Sequence, residues 1–92
     1  VSNARASMGL KIYPVPANGS ATAEFEIFEK EKVTASIFDI NGRLVKTLLS
    51  QELEAGQHQL TISAEGLVKN AIYWLRITTP GGSIAKPVTF AN

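Results

Sequence analysis

The chain has 92 residues, 45% of them hydrophobic and 18% charged, with a formal net charge of +1 and no cysteine. That describes one globular domain with a single modest core. It excludes disulfides, thiolate metal sites and any strong electrostatic case for nucleic acid or an anionic membrane surface.

Residues 1–9 lack the apolar stretch of a signal peptide and read as a flexible linker or a cloning remnant. A chain opening on Val1 with Met8 internal is expected to be a piece of a larger protein, with the domain proper in residues 10–92. Leu10 to Tyr13 is a short opening strand, ended by Pro14-Val15-Pro16-Ala17-Asn18-Gly19, where the prolines forbid ladder donors. Thr22 to Phe28 alternates, with Ala23, Phe25 and Ile27 on one face and Glu24 and Glu26, read as solvated, on the other. After a charged turn, Glu29 to Lys32, the β-branched and aromatic run Val33 to Ile40 is a strand with Val33, Ala35 and Ile37 in one phase. Asn41-Gly42 then predicts a two-residue type I′ hairpin, with positive φ at both positions, returning as a strand from Arg43 to Leu49. Glu54-Ala55-Gly56 is a further turn before Gln57 to Ile62. Ser63 to Lys69 is irregular, with Leu67 closing one end of the core. Ala71 to Thr79 and Ser83 to Phe90 form a terminal hairpin across Pro80-Gly81-Gly82. Turn signals every 8–12 residues, with no helical periodicity and no apolar run near the ~20 residues of a membrane span, predict an all-β sandwich of about seven antiparallel strands without direct membrane insertion.

In order along the chain stand Tyr13-Pro14-x-Pro16-Ala17, Ile37-Phe38-Asp39-Ile40-Asn41-Gly42-Arg43-Leu44-Val45, Leu53-x-Ala55-Gly56-x-His58-x-Leu60, Gly66-Leu67 with Ala71-Ile72-Tyr73, and Lys86-Pro87-Val88. Together these resemble the type A C-terminal sorting domain of proteins exported by the type IX (Por) secretion system, over residues 10–90. Two positions depart from that pattern: Ala71 stands where the family usually has Gly, and Val15 where it has Asn. The resemblance implies an immunoglobulin-like sandwich, without catalysis or cofactor, that carries a cargo through the periplasm and across the outer membrane. The cargo would end at the cell surface or outside, after a sortase removes the domain and joins the cargo to a lipopolysaccharide anchor. The implied partners are the translocon, an outer-membrane shuttle protein and the sortase. The implied recognition residues are Gly42, Arg43, Gly56, Lys86, Pro87, Val88 and Phe90.

The residues themselves offer little chemistry. His58 lies in phase with Leu60 and Ile62 and has no partner pattern, so it reads as a strand residue and not a catalyst. Asp39-x-Asn41-Gly42 resembles the opening of a calcium loop, but Gly directly after Asn is hairpin chemistry, so no metal is expected. If Tyr73, Leu75 and Ile77 face the core, Trp74 stands outside with Phe38 as a surface contact; with the phase reversed, Trp74 is core. Tyr73 is expected to form a tyrosine corner. Lys86 and Pro87 protect an edge strand from aggregation, and the same strand, through its free edge, is what export machinery would read. A free edge beside a glycine turn also invites a strand-exchanged homodimer. The alternative from a different class is a carbohydrate-binding or spacer module of a secreted enzyme, with Trp74 as its platform.

Overall fold

A computed structural model of the protein describes residues 9–13 and 19–90. The described residues form seven strands: β1 (Lys11–Tyr13), β2 (Ser20–Ile27), β3 (Glu31–Phe38), β4 (Leu44–Leu53), β5 (Gly56–Ser63), β6 (Ile72–Thr79) and β7 (Gly82–Thr89). They form two antiparallel sheets, in the orders β1-β2-β5 and β4-β3-β6-β7. The chain is therefore an all-β sandwich of the immunoglobulin-like kind. Residues 1–8 of the expected linker and the turn from Pro14 to Asn18, with Val15, lie outside the described residues.

Period-2 alternation builds the core. Ala21, Ala23, Phe25, Ile27 and Ile62 point inward from one sheet. Val33, Ala35, Ile37, Tyr73, Leu75, Ile77 and Val88 do so from the other. Each fully buried Val, Ile, Leu or Phe contributes about 1.5–3 kcal/mol relative to exposure, so these inner faces hold the sheets together. Leu67 packs against the cluster from the irregular segment. The tyrosine corner is present: the Val68 N–H donates to the Tyr73 hydroxyl at 2.8 Å, just before β6.

Several local expectations need correction. Glu31 and Lys32 belong to β3, not to the preceding turn, because the inward phase of Val33 continues back to Glu31, which is buried opposite Leu53. That longer β3 carries β4 past Leu49 to Leu53, through the polar residues Ser50 to Glu52. The β3–β4 hairpin is not a two-residue type I′ turn. Asp39 N–H donates to the Arg43 carbonyl and Gly42 N–H to the Asp39 carbonyl, both at 2.9 Å, closing a three-residue loop. Among the described residues the only non-glycine residue with positive φ is Asn70, so Asn41 is not left-handed, while Gly42 has φ +83°. This is a turn followed by a glycine bulge. Its cause is Asp39, whose carboxylate draws the main chain round it. Asn70 rather than Ala71 takes the left-handed conformation ahead of β6, as alanine at 71 requires.

The long edges of the four-stranded sheet differ. β4 carries two register irregularities against β3, between Ala35 and Ser36 and between Ile37 and Phe38. Lys46 of β4 also reaches the other sheet, its Nζ donating to the carbonyls of Ser63 (3.0 Å) and Glu65 (3.1 Å). β7 pairs with β6 in unbroken register from Ile72↔Thr89 to Thr79↔Gly82. Among the described residues its other side carries no strand.

Candidate functional site

The β7 edge is open to a partner strand, as is that of β5 in the other sheet, whose pairing with β2 is also unbroken. Proline has no N–H to exchange, so the Trp74↔Pro87 pair is of the non-hydrogen-bonded kind. Alternation then turns the main-chain N–H and C=O groups of Ser83, Ala85 and Thr89, and the C=O of Pro87, toward the open side. Side chains alternate as well. Ile84, Lys86 and Val88 oppose the inward-facing Ile77, Leu75 and Tyr73, whereas Ala85 and Pro87 oppose Arg76 and Trp74 on the outer face. Lys86 thus occupies an inward phase yet is exposed, as a long side chain that keeps its charge in water can be. An inward-pointing charge and an edge proline are both devices that discourage a strand from pairing with copies of itself. Val88 and Phe90 are buried at 0% and 1% exposure, so their side chains anchor the strand and are not presented to solvent.

The outer face of this sheet is unusually apolar. Leu44, Phe38, Trp74 and Pro87 lie in one row across all four strands, through the pairs Phe38↔Leu44, Phe38↔Trp74 and Trp74↔Pro87. Trp74 is 40% exposed and Leu44 52%, and Phe38 is half-buried beside them. Tyr73, Leu75 and Ile77 are core, which places Trp74 outside. The Arg76 guanidinium lies 4.8 Å from the centre of the Phe38 ring, a cation–π contact. A shallow depression of about 280 Å³ runs from the hairpin at Gly42 and Ile40, past Phe38, Trp74 and Arg76, to Ala85 on β7.

The hairpin beside it is held by one carboxylate. Asp39 Oδ1 accepts the N–H groups of Asn41 and Arg43, both at 2.9 Å, and Oδ2 lies 3.3 Å from Arg43 Nε. The Arg43 N–H is the main reason that the Asp39 carboxyl titrates below its ordinary value; the Asn41 N–H and the Arg43 charge add to it, against a smaller opposing effect of burial. Gly42 and Arg43 are therefore structural parts of this loop, with the Arg43 side chain largely in solvent. Gly56 (φ +130°) opens β5 at the far end of that strand's pairing with β2, opposite Ile27, and is not brought next to β7 by any strand pairing.

His58 and Glu24 are both taken up in contacts within the three-stranded sheet and its turns. His58 stacks on Phe25 with ring centres 5.8 Å apart, and its Nε2 sits 2.7 Å from the Glu54 carbonyl. Glu24 is engaged structurally, accepting from Gln59 Nε2 at 2.8 Å and from the Tyr13 hydroxyl at 3.4 Å. Among the described residues no three His, Cys, Asp or Glu side chains cluster in a way that could hold a metal. Sequence reasoning missed Arg76 and the role of Asp39. Arg76 becomes informative only once Phe38 is known to lie beside it on the neighbouring strand. Asp39 was legible, as an acidic residue two positions before an Asn-Gly pair.

Residues 11–89 match the family model for the secretion system C-terminal sorting domain. The chain is also similar to the basal-body rod modification protein FlgD of Salmonella typhimurium and of Salmonella typhi, 40% identical over 68 residues in each. That match takes in 66% of this chain and spans only 29% of the length of those relatives. Among solved structures, the sensor domain of the anti-sigma factor RsgI4 from Pseudobacteroides cellulosolvens superposes with a TM-score of 0.50 at 15% identity. The superposition covers 90% of this chain and 94% of that one, a likeness of fold alone.

Proposed function

We propose, from the premise that this chain belongs to the type IX secretion system C-terminal sorting domain family, that its folded sandwich presents β7 as the address read by the export machinery. The domain is an export signal directed to the outer membrane, cell surface or exterior. In the fuller reading it works without catalysis. The translocon and an outer-membrane shuttle protein engage the β7 edge after transit through the periplasm. A surface sortase then cuts before Leu10 and anchors the cargo. The observation that supports this is the unbroken β7 register, with main-chain groups turned outward and Val88 and Phe90 fixing the strand from behind. The carbohydrate-binding alternative has an outward Trp74 in its favour, but the family match speaks for export.

Deleting residues 84–92 would not test the idea cleanly, because it removes Val88 and Phe90 from the core. A point change at the edge does. Ala85→Pro removes an outward N–H without touching the β6–β7 ladder. With a reporter fused ahead of residues 1–92 in a host carrying the system, we expect that variant to fold and to be retained in the periplasm. Export at the parental level by the folded variant refutes the edge reading.

A further inference from the structure

Two cations without a carboxylate partner among the described residues lie near the β7 edge, Lys86 on it and Arg76 one strand in, stacked on Phe38. Arg76 stands on the outer face in the row that ends at Ala85, and Lys86 is exposed from the inner phase one residue further on. Among the described residues neither has a carboxylate partner; the ion pairs there join Lys30 to Glu52 and Glu54, and Arg43 to Asp39. Beyond them lies the apolar row through Trp74 and Pro87.

We infer that the β7 edge is built to accept an extended acidic segment of a partner protein, in which two consecutive carboxylate residues stand opposite Ala85 and Lys86 and an apolar residue stands opposite Pro87. The inference deepens the export reading above by naming the chemistry of the partner. An added strand lies ~4.8 Å from β7, with side chains alternating between the faces. The residue opposite Ala85 projects into the Arg76 row, where a long acidic side chain reaches across the Ala85 methyl group toward Arg76, whose guanidinium rests on the Phe38 ring. The next residue along projects to the inner side, beside Lys86. The one after returns to the outer face and extends the Leu44–Phe38–Trp74–Pro87 row by one more apolar group. Backbone hydrogen bonds at Ala85 supply affinity, and the charges and the apolar contact supply register. The same charges argue against a second copy of this chain as the occupant. Antiparallel pairing of two β7 edges about Lys86 sets Lys86 against Lys86, and like charges placed opposite are unfavourable.

Titration of the ¹⁵N-labelled chain with blocked heptapeptides decides the matter. One peptide carries Val-Glu-Glu at its centre in a Thr/Ser background, the antiparallel order, and the other carries Val-Lys-Lys. We expect the acidic peptide to move the amide signals of Ser83, Ala85 and Thr89 and the Trp74 indole N–H. The basic peptide should bind at least about fivefold more weakly, the size of a cross-strand charge pair. In the Arg76→Glu/Lys86→Glu variant the preference should reverse, a gain of binding that misfolding cannot produce. Equal binding of both peptides in the parent overturns the proposal and leaves an edge without charge preference, which the export assay tests separately. Absence of binding at millimolar peptide, or shifts at β5 instead, also overturns it. Concentration-dependent β7 shifts without peptide would do the same by identifying a second copy as the occupant. So would saturation of Trp74 by glycans with no change at the β7 amides.

Discussion

Phe90 provides the sharpest test of whether the C-terminal segment is part of the cooperative fold or an appendage to it. Its ring is 1% exposed, and its carbonyl accepts the Asn70 N–H at 2.7 Å, so both side chain and main chain hold the end of the molecule. Truncating a buried Phe to Ala costs about 3–5 kcal/mol. The cost depends on how far the surrounding side chains collapse into the space left, and the lower figure allows for such collapse. Against a total of about 5–14 kcal/mol expected for 92 residues, a loss of ~3 kcal/mol is a large share. With a urea m-value near 1–1.5 kcal/mol/M for so small a domain, the midpoint of Phe90→Ala should fall by about 2–3 M. Phe90→Leu, which keeps most of the volume, should lose less than about 1.5 kcal/mol. Unfolding followed by Trp74 fluorescence and by far-UV circular dichroism should give coincident transitions for both variants. A Phe90→Ala midpoint within ~0.5 M of the parent would refute the reasoning, because the segment would then fray independently of the sandwich.

Tyr73→Phe keeps the ring in the core but strands the Val68 N–H, and should cost about 1–2 kcal/mol. At about 4–8 °C per kcal/mol this lowers the Tm by roughly 5–15 °C. Tyr13→Phe, which removes only an exposed contact to Glu24, should stay within about 0.5 kcal/mol of the parent. Asp39 gives the pH dependence. Its folded-state pKa lies below the ordinary value of 3.8, so its contribution is present above that value and is lost as pH falls through the lower folded-state value. Urea midpoints measured from neutral pH down through this range should fall less steeply for Asp39→Asn than for the parent; identical slopes would mean that the carboxylate does not hold the hairpin.

The fold was legible wherever one residue in two is apolar. Phe25 and Ile27, Val33 and Ile37, and Leu75 and Ile77 announce their strands without help, and the parity that buries Leu75 also sends Trp74 outward. Legibility failed where the period breaks. In β4 the run Leu44 to Leu53 contains two irregularities that skip Val45 and Leu48 in the pairing, and no local pattern marks them. The Asn41-Gly42 pair located the hairpin but not its geometry, since the length of the loop is decided by the Asp39 side chain two residues earlier. For the recognition surface, the inward phase of Lys86 can be counted from Val88. That Lys86 reaches solvent depends on β7 being an edge, a property of sheet order. Arg76 gains its significance from Phe38, nearly forty residues away in the chain, and from the lack of a carboxylate beside it.

On the edge-recognition reading, alternation along β7 also ties the address to folding. Lys86, Ala85 and the outward main-chain groups form one recognisable surface only when the strand is straight, and it is straight because Val88 and Phe90 are pinned in the core between the sheets. The residues that are read and the residues that hold them in place are interleaved within a few positions, so a partner cannot engage the first set in a chain that has released the second. An unfolded tail of identical composition would offer the same cations with no register between them. On the edge-recognition reading, export therefore selects for domains that have already folded. On that reading the Lys86 and Pro87 that make the edge unattractive to its own copies would leave it open to a segment of opposite charge, so that one strand could be safe in solution and still be read.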